Sequence, residues 1–340
     1  MIKEIVLKSV SKRILKSLQV ETGLFLASKK KVKTGYNRAW IRDNIYESLG
    51  FEAVKDIKSL KKAYYALFDI LLKHEYKIDW AIKQKPDAAY KYIHARYNPL
   101  TFDEYCDFWG NKQNDSVGAF LFKVGELFKK KIVVFRDFKD IRMLQKLVHY
   151  LASIEYWHDS DSGMWENDEE VHASSVGACV SGLKAIKGIV NVPDELMAEG
   201  QDALNKLLPR ESKSREVDLA LLSLIYPFKV VSVQQRAQIL KNVEEKLVRE
   251  KGVIRYFNDW YYKNGHEAQW TFGFAWLAKI YKDLGNRTKY NLYMEKLYKS
   301  MNWKGELPEL YYYNTDINKF VNNENTPLGW SQAMYLVAVS

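Results

Sequence analysis

ASSVGACVSGLKAI, residues 173–186, is apolar on more than one face of a helix and is rich in small residues. A helix that is apolar nearly all round is buried, and its small side chains let neighbouring helices approach closely. Two further segments have the same character, EVDLALLSLIY at 216–226 and QWTFGFAWLAKIY at 269–281. The three segments therefore predict a core that is built from buried helices.

Lysine-rich amphipathic segments alternate with the buried ones, as in 58–77 and 233–250. Six outer and six inner helices in alternation predict an all-α fold, an (α/α)6 toroid that forms a single domain over residues 1–340. A helical solenoid is the rival, but solenoids usually show a repeated motif and none is visible. The predicted helices cover residues 3–19, 42–54, 57–76, 112–130, 136–157, 169–189, 194–208, 215–226, 233–249, 266–284, 287–301 and 330–338.

The amino-acid composition supports an all-α fold and bears on whether the chain binds nucleic acid. The chain is 47% apolar and 28% charged, with only 17 Gly and 7 Pro in 340 residues. That is a globular composition with too few turn residues for a β-sandwich or barrel, and no strand is predicted. The net charge of +10 would suit nucleic acid, but the lysines are scattered over helix faces, which favours a solvated surface.

The N-terminal 18 residues carry lysines in every apolar run, so they are not a signal peptide. A basic amphipathic helix could lie on a membrane, although an outer helix of the toroid is the favoured interpretation. No segment approaches the roughly 20 apolar residues of a membrane span. We therefore expect a cytoplasmic protein in which Cys106 and Cys179 are free thiols.

The loops from each outer helix to the next inner helix are long and rich in aromatic residues. In a toroid these loops open on one end, so their side chains converge on one mouth. Aromatic walls with polar groups between them suit a sugar, whose C–H faces pack on rings and whose hydroxyls need hydrogen-bond partners. The alternative is that the aromatics only plug the barrel. The candidate contacts include Trp40, Trp109 and Trp165.

Two glutamates in these loops are candidate catalytic residues. Glu166 follows Trp165, which would desolvate it, and Glu309 follows Pro308. Glycoside hydrolysis needs one carboxylic acid with a raised pKa and a second carboxylate that activates water or attacks carbon. Alternatively, the negative charge of Glu166 only stabilises the N-terminus of the next helix, and Glu309 is only a charged residue on the surface.

Charged residues elsewhere in the mouth complete the candidate site. Arg42 and Asp43 stand at the start of a buried helix, where Asp43 is either a ligand for sugar hydroxyls or only a cap. Arg255 is a candidate partner for a hydroxyl or a carboxylate. The histidines show no metal-ligand spacing, so neither a metal nor another cofactor is predicted.

These segments resemble glycoside hydrolase family 15, the glucoamylase family, which shares its (α/α)6 fold with the phosphorylase kinase regulatory subunits. The family's motifs occur in order as WIRD at 40–43, WE at 165–166, RY at 255–256, LPE at 307–309 and WS at 330–331. A closer likeness to the N-terminal region of the kinase α and β subunits rests on stretches such as AWIRDNIY, HARYN, LLPRESKSREVDLALLS and GWSQAMYL.

The resemblance implies an inverting hydrolase of α-glucosides. Glu166 would be the general acid and Glu309 the general base. Terminal glucose would be held by Trp40, Arg42 and Asp43, with help from Arg255 and Tyr256. One departure concerns the substrate subsite, because family enzymes usually carry a second Glu after the acid and this chain has Asn167.

The leading hypothesis is an exo-acting enzyme that releases glucose from soluble α-gluco-oligosaccharides. The kinase likeness keeps open a catalytically silent glycan-binding or regulatory toroid. A nucleic-acid or acidic-surface binder is the distant third reading. Neither the linkage nor the oligomeric state follows from the sequence.

Overall fold

A computed structural model describes residues 2–105 and 110–340, and these form two concentric layers of helices. In chain order the α-helices are α1 (Ile2–Leu18), α2 (Ile41–Ala53), α3 (Ile57–Lys73), α4 (Glu75–Lys83), α5 (Asn114–Lys129), α6 (Phe138–Ile154), α7 (Ala173–Ile186), α8 (Asp194–Leu207), α9 (Val233–Lys246), α10 (Phe272–Asp283), α11 (Arg287–Lys299) and α12 (Gly329–Val339).

Six helical segments form a closed inner ring. In this ring α2 packs on α5, α5 on α7, α7 on a 3-10 helix at Leu219–Leu224, this helix on α10, α10 on α12, and α12 back on α2. The amphipathic helices α3, α6, α8, α9 and α11 each lie between two inner segments in the chain, and together with α1, which precedes α2, they form the outer layer. The predicted (α/α)6 toroid is therefore confirmed.

Glycines set the spacing between α5 and α7. A Cβ at Gly118 would lie 2.4 Å from the backbone of Ala178, and one at Gly182 would lie 2.5 Å from the carbonyl oxygen of Gly118. No side chain fits at such distances, so the two backbones touch there. Small residues in the inner helices thus allow the close approach that the sequence indicates.

Two helix predictions are wrong. The segment 215–226 forms only the short 3-10 helix, because the Asp218 side chain caps it by accepting from the Ala220 amide at 2.8 Å and Pro227 follows directly. The predicted helix 57–76 ends at Lys73, and α4, which the periodicity did not separate, follows after His74.

The prediction of no strands is also wrong, because two small antiparallel sheets lie in the outer-to-inner loops. One pairs β1 (Ala39–Trp40) with β2 (Arg96–Tyr97). The other has the order β3–β4–β5, formed by β3 (Gln269–Trp270), β4 (Leu310–Asn314) and β5 (Lys319–Asn322). Because β3 pairs with β4, α10 begins at Phe272 and not at the predicted 266.

The remaining general predictions concern membranes and cysteines. Within residues 2–105 and 110–340, no helix is long and apolar enough to cross a bilayer. Cys179 is a buried free thiol in α7. Cys106 lies outside the described residues, so the expectation that it is unpaired stays a prediction.

Candidate active site

A cavity opens at the N-terminal end of the inner ring, where the outer-to-inner loops meet. Most of the sequence-predicted site residues line it: Trp40, Arg42, Asp43, Trp165, Glu166, Arg255 and Glu309. The other lining residues are Tyr36, Met164, Trp270, Phe272, Leu328 and Trp330. Tyr256 is not among the lining residues, and Trp109 lies outside the described residues.

The β1–β2 sheet positions one wall of the cavity. Trp40 pairs with Arg96 across β1 and β2, and the Arg96 guanidinium lies 5.3 Å from the centroid of the Trp40 ring. The chain then enters α2 directly after Trp40, which places Arg42 and Asp43 in the first turn of the helix. This explains why an aromatic residue and two charged residues so close in sequence reach one cavity.

Arg42 is buried in the first turn of α2, and its guanidinium contacts the start of α5 and the loop that carries Glu166. Its Nη1 donates to Gln113 Oε1 at 2.8 Å and to Asp115 Oδ2 at 3.2 Å, while its Nη2 lies 3.4 Å from Glu166 Oε1. Burial raises the pKa of the neighbouring Asp43 to about 6, against the opposing effect of the Arg42 charge. The Asp43 carboxyl lines the cavity and also accepts from its own backbone amide in the first turn of α2.

Glu166 stands on a tight turn. Its φ of 63° is in the left-handed region, which non-glycine residues seldom adopt outside strained or functional sites. Gly163 turns the chain beforehand, also at positive φ. Burial raises the pKa of Glu166 to about 7; the Arg42 charge opposes this rise and the Asp43 charge adds to it. At neutral pH a large share of Glu166 is therefore protonated and able to donate.

Glu309 is held by three neutral donors at the residue before β4. The Tyr36 hydroxyl donates to Oε1 at 2.6 Å, and the amides of Asn323 and Asn325 donate to Oε2 at 2.5 and 2.8 Å. Burial raises the pKa of Glu309, while these three hydrogen bonds favour the ionised form and act against the rise. The backbone amide of Thr271, beside β3, donates to the Glu309 carbonyl at 3.3 Å and ties it to the second sheet.

Arg255 is fixed by a bidentate ion pair and by aromatic rings. Its Nε and Nη2 donate to the two Asp259 oxygens at 2.7 and 2.8 Å, and its Cζ lies 4.3 Å from the Trp270 ring centroid. Tyr256 turns away to contact the Asn167 amide, and the Arg215 guanidinium covers its ring at 3.9 Å. Tyr256 thus contacts the residue that follows Glu166, and the sugar contact that the family resemblance implies for it stays a prediction.

The floor of the cavity is a stack of aromatic side chains. Trp330 is nearly parallel to Phe272, with centroids 4.8 Å apart, and it also stacks on the buried Tyr46 at 4.4 Å. Trp165 lies 6.3 Å from Trp330, and its Nε1 donates to Asp218 at 2.7 Å. Flat apolar surface of this kind is what the C–H face of a sugar ring packs against.

Several residues that shape the site were not found from the sequence: Asn323, Asn325, Gln113, Asp115 and Arg96. The two asparagines follow Glu309 by 14 and 16 residues. The β4–β5 hairpin lies between Glu309 and Asn323 and brings the asparagine amides back to the Glu309 carboxylate. Among the residues described, no group of three or more His, Cys, Asp or Glu is arranged to hold a metal ion.

Residues 1–337 match the sequence model of glycosyl hydrolases family 15. The chain belongs to this family. Similar solved family-15-like folds include a glycosidase variant in complex with glucose, with a TM-score of 0.82, 20% identity, and coverage of 99% of this chain and 97% of that one. A bacterial glucoamylase complexed with acarbose gives a TM-score of 0.71 at 16% identity, covering 98% of this chain and 55% of that one.

Curated relatives of this family 15 chain carry a different name. The α regulatory subunit of phosphorylase b kinase from rabbit (Oryctolagus cuniculus) skeletal muscle is 26% identical over 88% of this chain and 30% of its own length. A probable α regulatory subunit from Caenorhabditis elegans is 26% identical over 66% of this chain and 21% of its own. The chain thus spans less than a third of these relatives.

Proposed function

We propose that this chain is an inverting, exo-acting glycoside hydrolase that releases glucose from the non-reducing end of soluble α-gluco-oligosaccharides. The observation that supports this most is that one aromatic-walled cavity is lined by two carboxyl groups in different surroundings. Glu166 has a pKa of about 7 and faces one arginine. Glu309 accepts three hydrogen bonds. This is the asymmetry that an acid and a base require.

In the proposed reaction Glu166 donates its proton to the glycosidic oxygen as the bond from the anomeric carbon to that oxygen breaks. Glu309 accepts a proton from a water molecule, whose oxygen forms the new bond on the opposite face of the sugar. The departing sugar leaves with the proton from Glu166, and β-glucose is released. Inversion requires the carboxyl groups to stand about 6.5–9.5 Å apart, with the sugar and the water between them.

The other lining residues are proposed to bind the terminal glucose. Asp43 and Arg42 would pair with its hydroxyls, and Trp40 and Trp165 would pack on its C–H faces, with Trp109 as a further contact. Arg255 would add a charge-assisted hydrogen bond, while Tyr256 would act through the Glu166 turn. A site built for sugar hydroxyls loses affinity steeply when one of its buried partners is left unpaired.

The second candidate is a catalytically silent glycan-binding or regulatory toroid. The observation that favours it is that the matched curated relatives are named as regulatory subunits of a kinase. This candidate would keep the aromatic walls and the sugar contacts, and it would not turn over the bound sugar.

Glucose release from maltose, isomaltose, maltotriose and trehalose decides between the two candidates. We expect release from at least one of them, and NMR of the first product should show the β-anomer. A chain that binds these sugars without releasing glucose would be the silent toroid. Initial α-anomer would show that the enzyme retains configuration and would contradict the proposed role of Glu309.

A further inference from the structure

A second aromatic groove lies outside the cavity, on α4 and the loop that follows it. Its volume is about 400 Å³, and its two large side chains are Trp80 and Tyr90. Trp80 is 50% exposed and Tyr90 is 64% exposed, so both present ring surface to solvent. The (α/α)6 ring does not need this segment, because α4 is additional to the six outer and six inner elements.

The α4 side of the groove is held by contacts within the helix and with α6. The ring of Trp80 meets Tyr76 edge-on with centroids 5.0 Å apart. Helix α4 is fixed to α6 by Lys146, whose Nζ lies 2.5 Å from Asp79 and 2.8 Å from Glu75. A platform that is already ordered loses little conformational entropy when a ligand binds.

Polar groups with unused hydrogen-bonding capacity border the two rings. Among the described residues, the Gln84 side chain makes no hydrogen bond and Lys83 forms no ion pair, and both line the groove. The two other lysines that line the groove are paired, Lys85 with Glu155 at 3.0 Å and Lys91 with Asp87 at 2.6 Å. Flat rings beside an amide and an ammonium group match a ligand that has both apolar faces and hydroxyl groups.

We propose that this groove is a second glycan-binding site, which holds an α-glucan on Trp80 and Tyr90. The choice of α-glucan as ligand rests on the proposed function. Tyr90 precedes Arg96 by six residues, so their Cα atoms are at most about 21 Å apart. Because Arg96 packs on Trp40 in the cavity wall, the same chain segment contributes to the groove and to the wall of the cavity.

The test measures binding without catalysis, by retardation of the native chain in gels that contain soluble glycogen or, in a second arm, dextran. The Asp43→Ala background weakens the cavity, so the remaining retardation reports the groove. We expect Asp43→Ala/Trp80→Ala to lose at least about fivefold in affinity for glycogen relative to Asp43→Ala, because a stacking surface is removed. Trp80→Phe should restore most of it.

Trp303 provides the matched control, since it is a tryptophan with 89% exposure that does not line the groove. Asp43→Ala/Trp303→Ala should be retarded like Asp43→Ala. Tyr90→Ala, in an exposed turn, gives a second variant that does not depend on α4. Equal retardation of all these variants would overturn the proposal, as would a native dimer that Trp80→Ala converts to monomer.

The experiments distinguish a failure of the hydrolase proposal from a failure of the groove proposal. If the native chain releases no glucose but its retardation still depends on Trp80, the groove stands and the hydrolase proposal falls. If glucose is released and Trp80 has no effect on retardation, the reverse holds. Stronger Trp80-dependent retardation by dextran than by glycogen would leave the second site in place and assign it to α-1,6-linked chains.

Discussion

Glu166 and Glu309 line the same cavity, but they differ in backbone geometry and in the charged and hydrogen-bonding groups around their carboxyl groups. Glu166 sits on a turn with left-handed backbone geometry and faces the Arg42 guanidinium at 3.4 Å. Glu309 directly precedes a β-strand and accepts from one tyrosine and two asparagines. The Glu166 carboxyl group thus interacts with the Arg42 and Arg96 charges and with Gln113, whereas the Glu309 carboxyl group accepts from three neutral donors.

The proposed mechanism requires the two groups to hold opposite protonation states, and this difference in surroundings would favour that. Burial raises the pKa of both, and with a pKa of about 7 a large share of Glu166 is protonated at neutral pH. For Glu309 the three hydrogen bonds stabilise the ionised carboxylate. A proton donor and a proton acceptor with these surroundings should respond differently to substitution and to pH.

The largest expected effect follows from removing the base. Glu309→Gln should lower the rate of glucose release from maltose by on the order of 10³–10⁴-fold, because an amide cannot accept the proton of water. The fold should tolerate it, since the new amide group can donate to the Tyr36 hydroxyl. The control is Glu306→Gln in the same segment, whose carboxylate accepts from Asn302 at 2.8 Å. Calorimetry should show that glucose binding persists; full activity would contradict the role of Glu309.

Removing the acid should have an effect that depends on the leaving group. Glu166→Gln should slow hydrolysis of maltose by on the order of 10²–10³-fold, since no proton then reaches the departing oxygen. Hydrolysis of 4-nitrophenyl α-glucoside should be slowed less, because nitrophenolate leaves without protonation. Glu169→Gln, at a neighbouring carboxylate with 49% side-chain exposure, is the control. Equal losses on both substrates would argue that Glu166 positions sugar and donates no proton.

Local sequence pattern was sufficient for most of the fold, and the exceptions have physical reasons. The apolar and small residues of 173–186 correctly indicate a buried helix, because a helix that is apolar on nearly every face must be covered by protein on all sides. The 3-10 helix shows the same composition, so composition does not reveal that a cap and a proline confine it to six residues. Two-residue strands such as β1 and β3 have no alternation to detect.

The candidate site was predictable where its residues are adjacent in sequence and not where the fold assembles them. Arg42 and Asp43, and likewise Trp165 and Glu166, stand side by side in the chain and line the cavity together. Asn323 belongs to a polar loop that has no signal of its own. Tyr256 stands beside Arg255 in sequence, but its side chain contacts Asn167. Their roles depend on strand pairing and on chain direction, which local patterns do not carry.

The pH dependence should show which carboxyl group limits the rate in alkali. The folded-state pKa of Glu166 is raised from its ordinary 4.5 to about 7, so its proton is lost as the pH rises through about 7. The rate on maltose should then fall by about fivefold between pH 7 and pH 8 and by about tenfold more between pH 8 and pH 9. Glu166→Gln should lack this alkaline limb on 4-nitrophenyl α-glucoside. A limb that persists in this variant would belong to another group.

The smallest effect concerns the donors of Glu309. Asn325→Ala removes one of two hydrogen bonds to Oε2, so the ionised carboxylate is less stabilised and the pKa of Glu309 rises. The acid limb of the pH–rate curve should therefore move to higher pH, and the rate at the native optimum should fall by about three- to tenfold. Asn314→Ala, at the far end of β4, is the control, because its side chain accepts only from the exposed backbone amides of Asp316 and Ile317. The Asn325 side chain bonds Glu309 and Thr34, and no described hydrogen bond joins it to Glu166, so the alkaline limb should not move. A shift of that limb, or an acid limb unchanged from the native one, would mean that the asparagines do not set the protonation of Glu309.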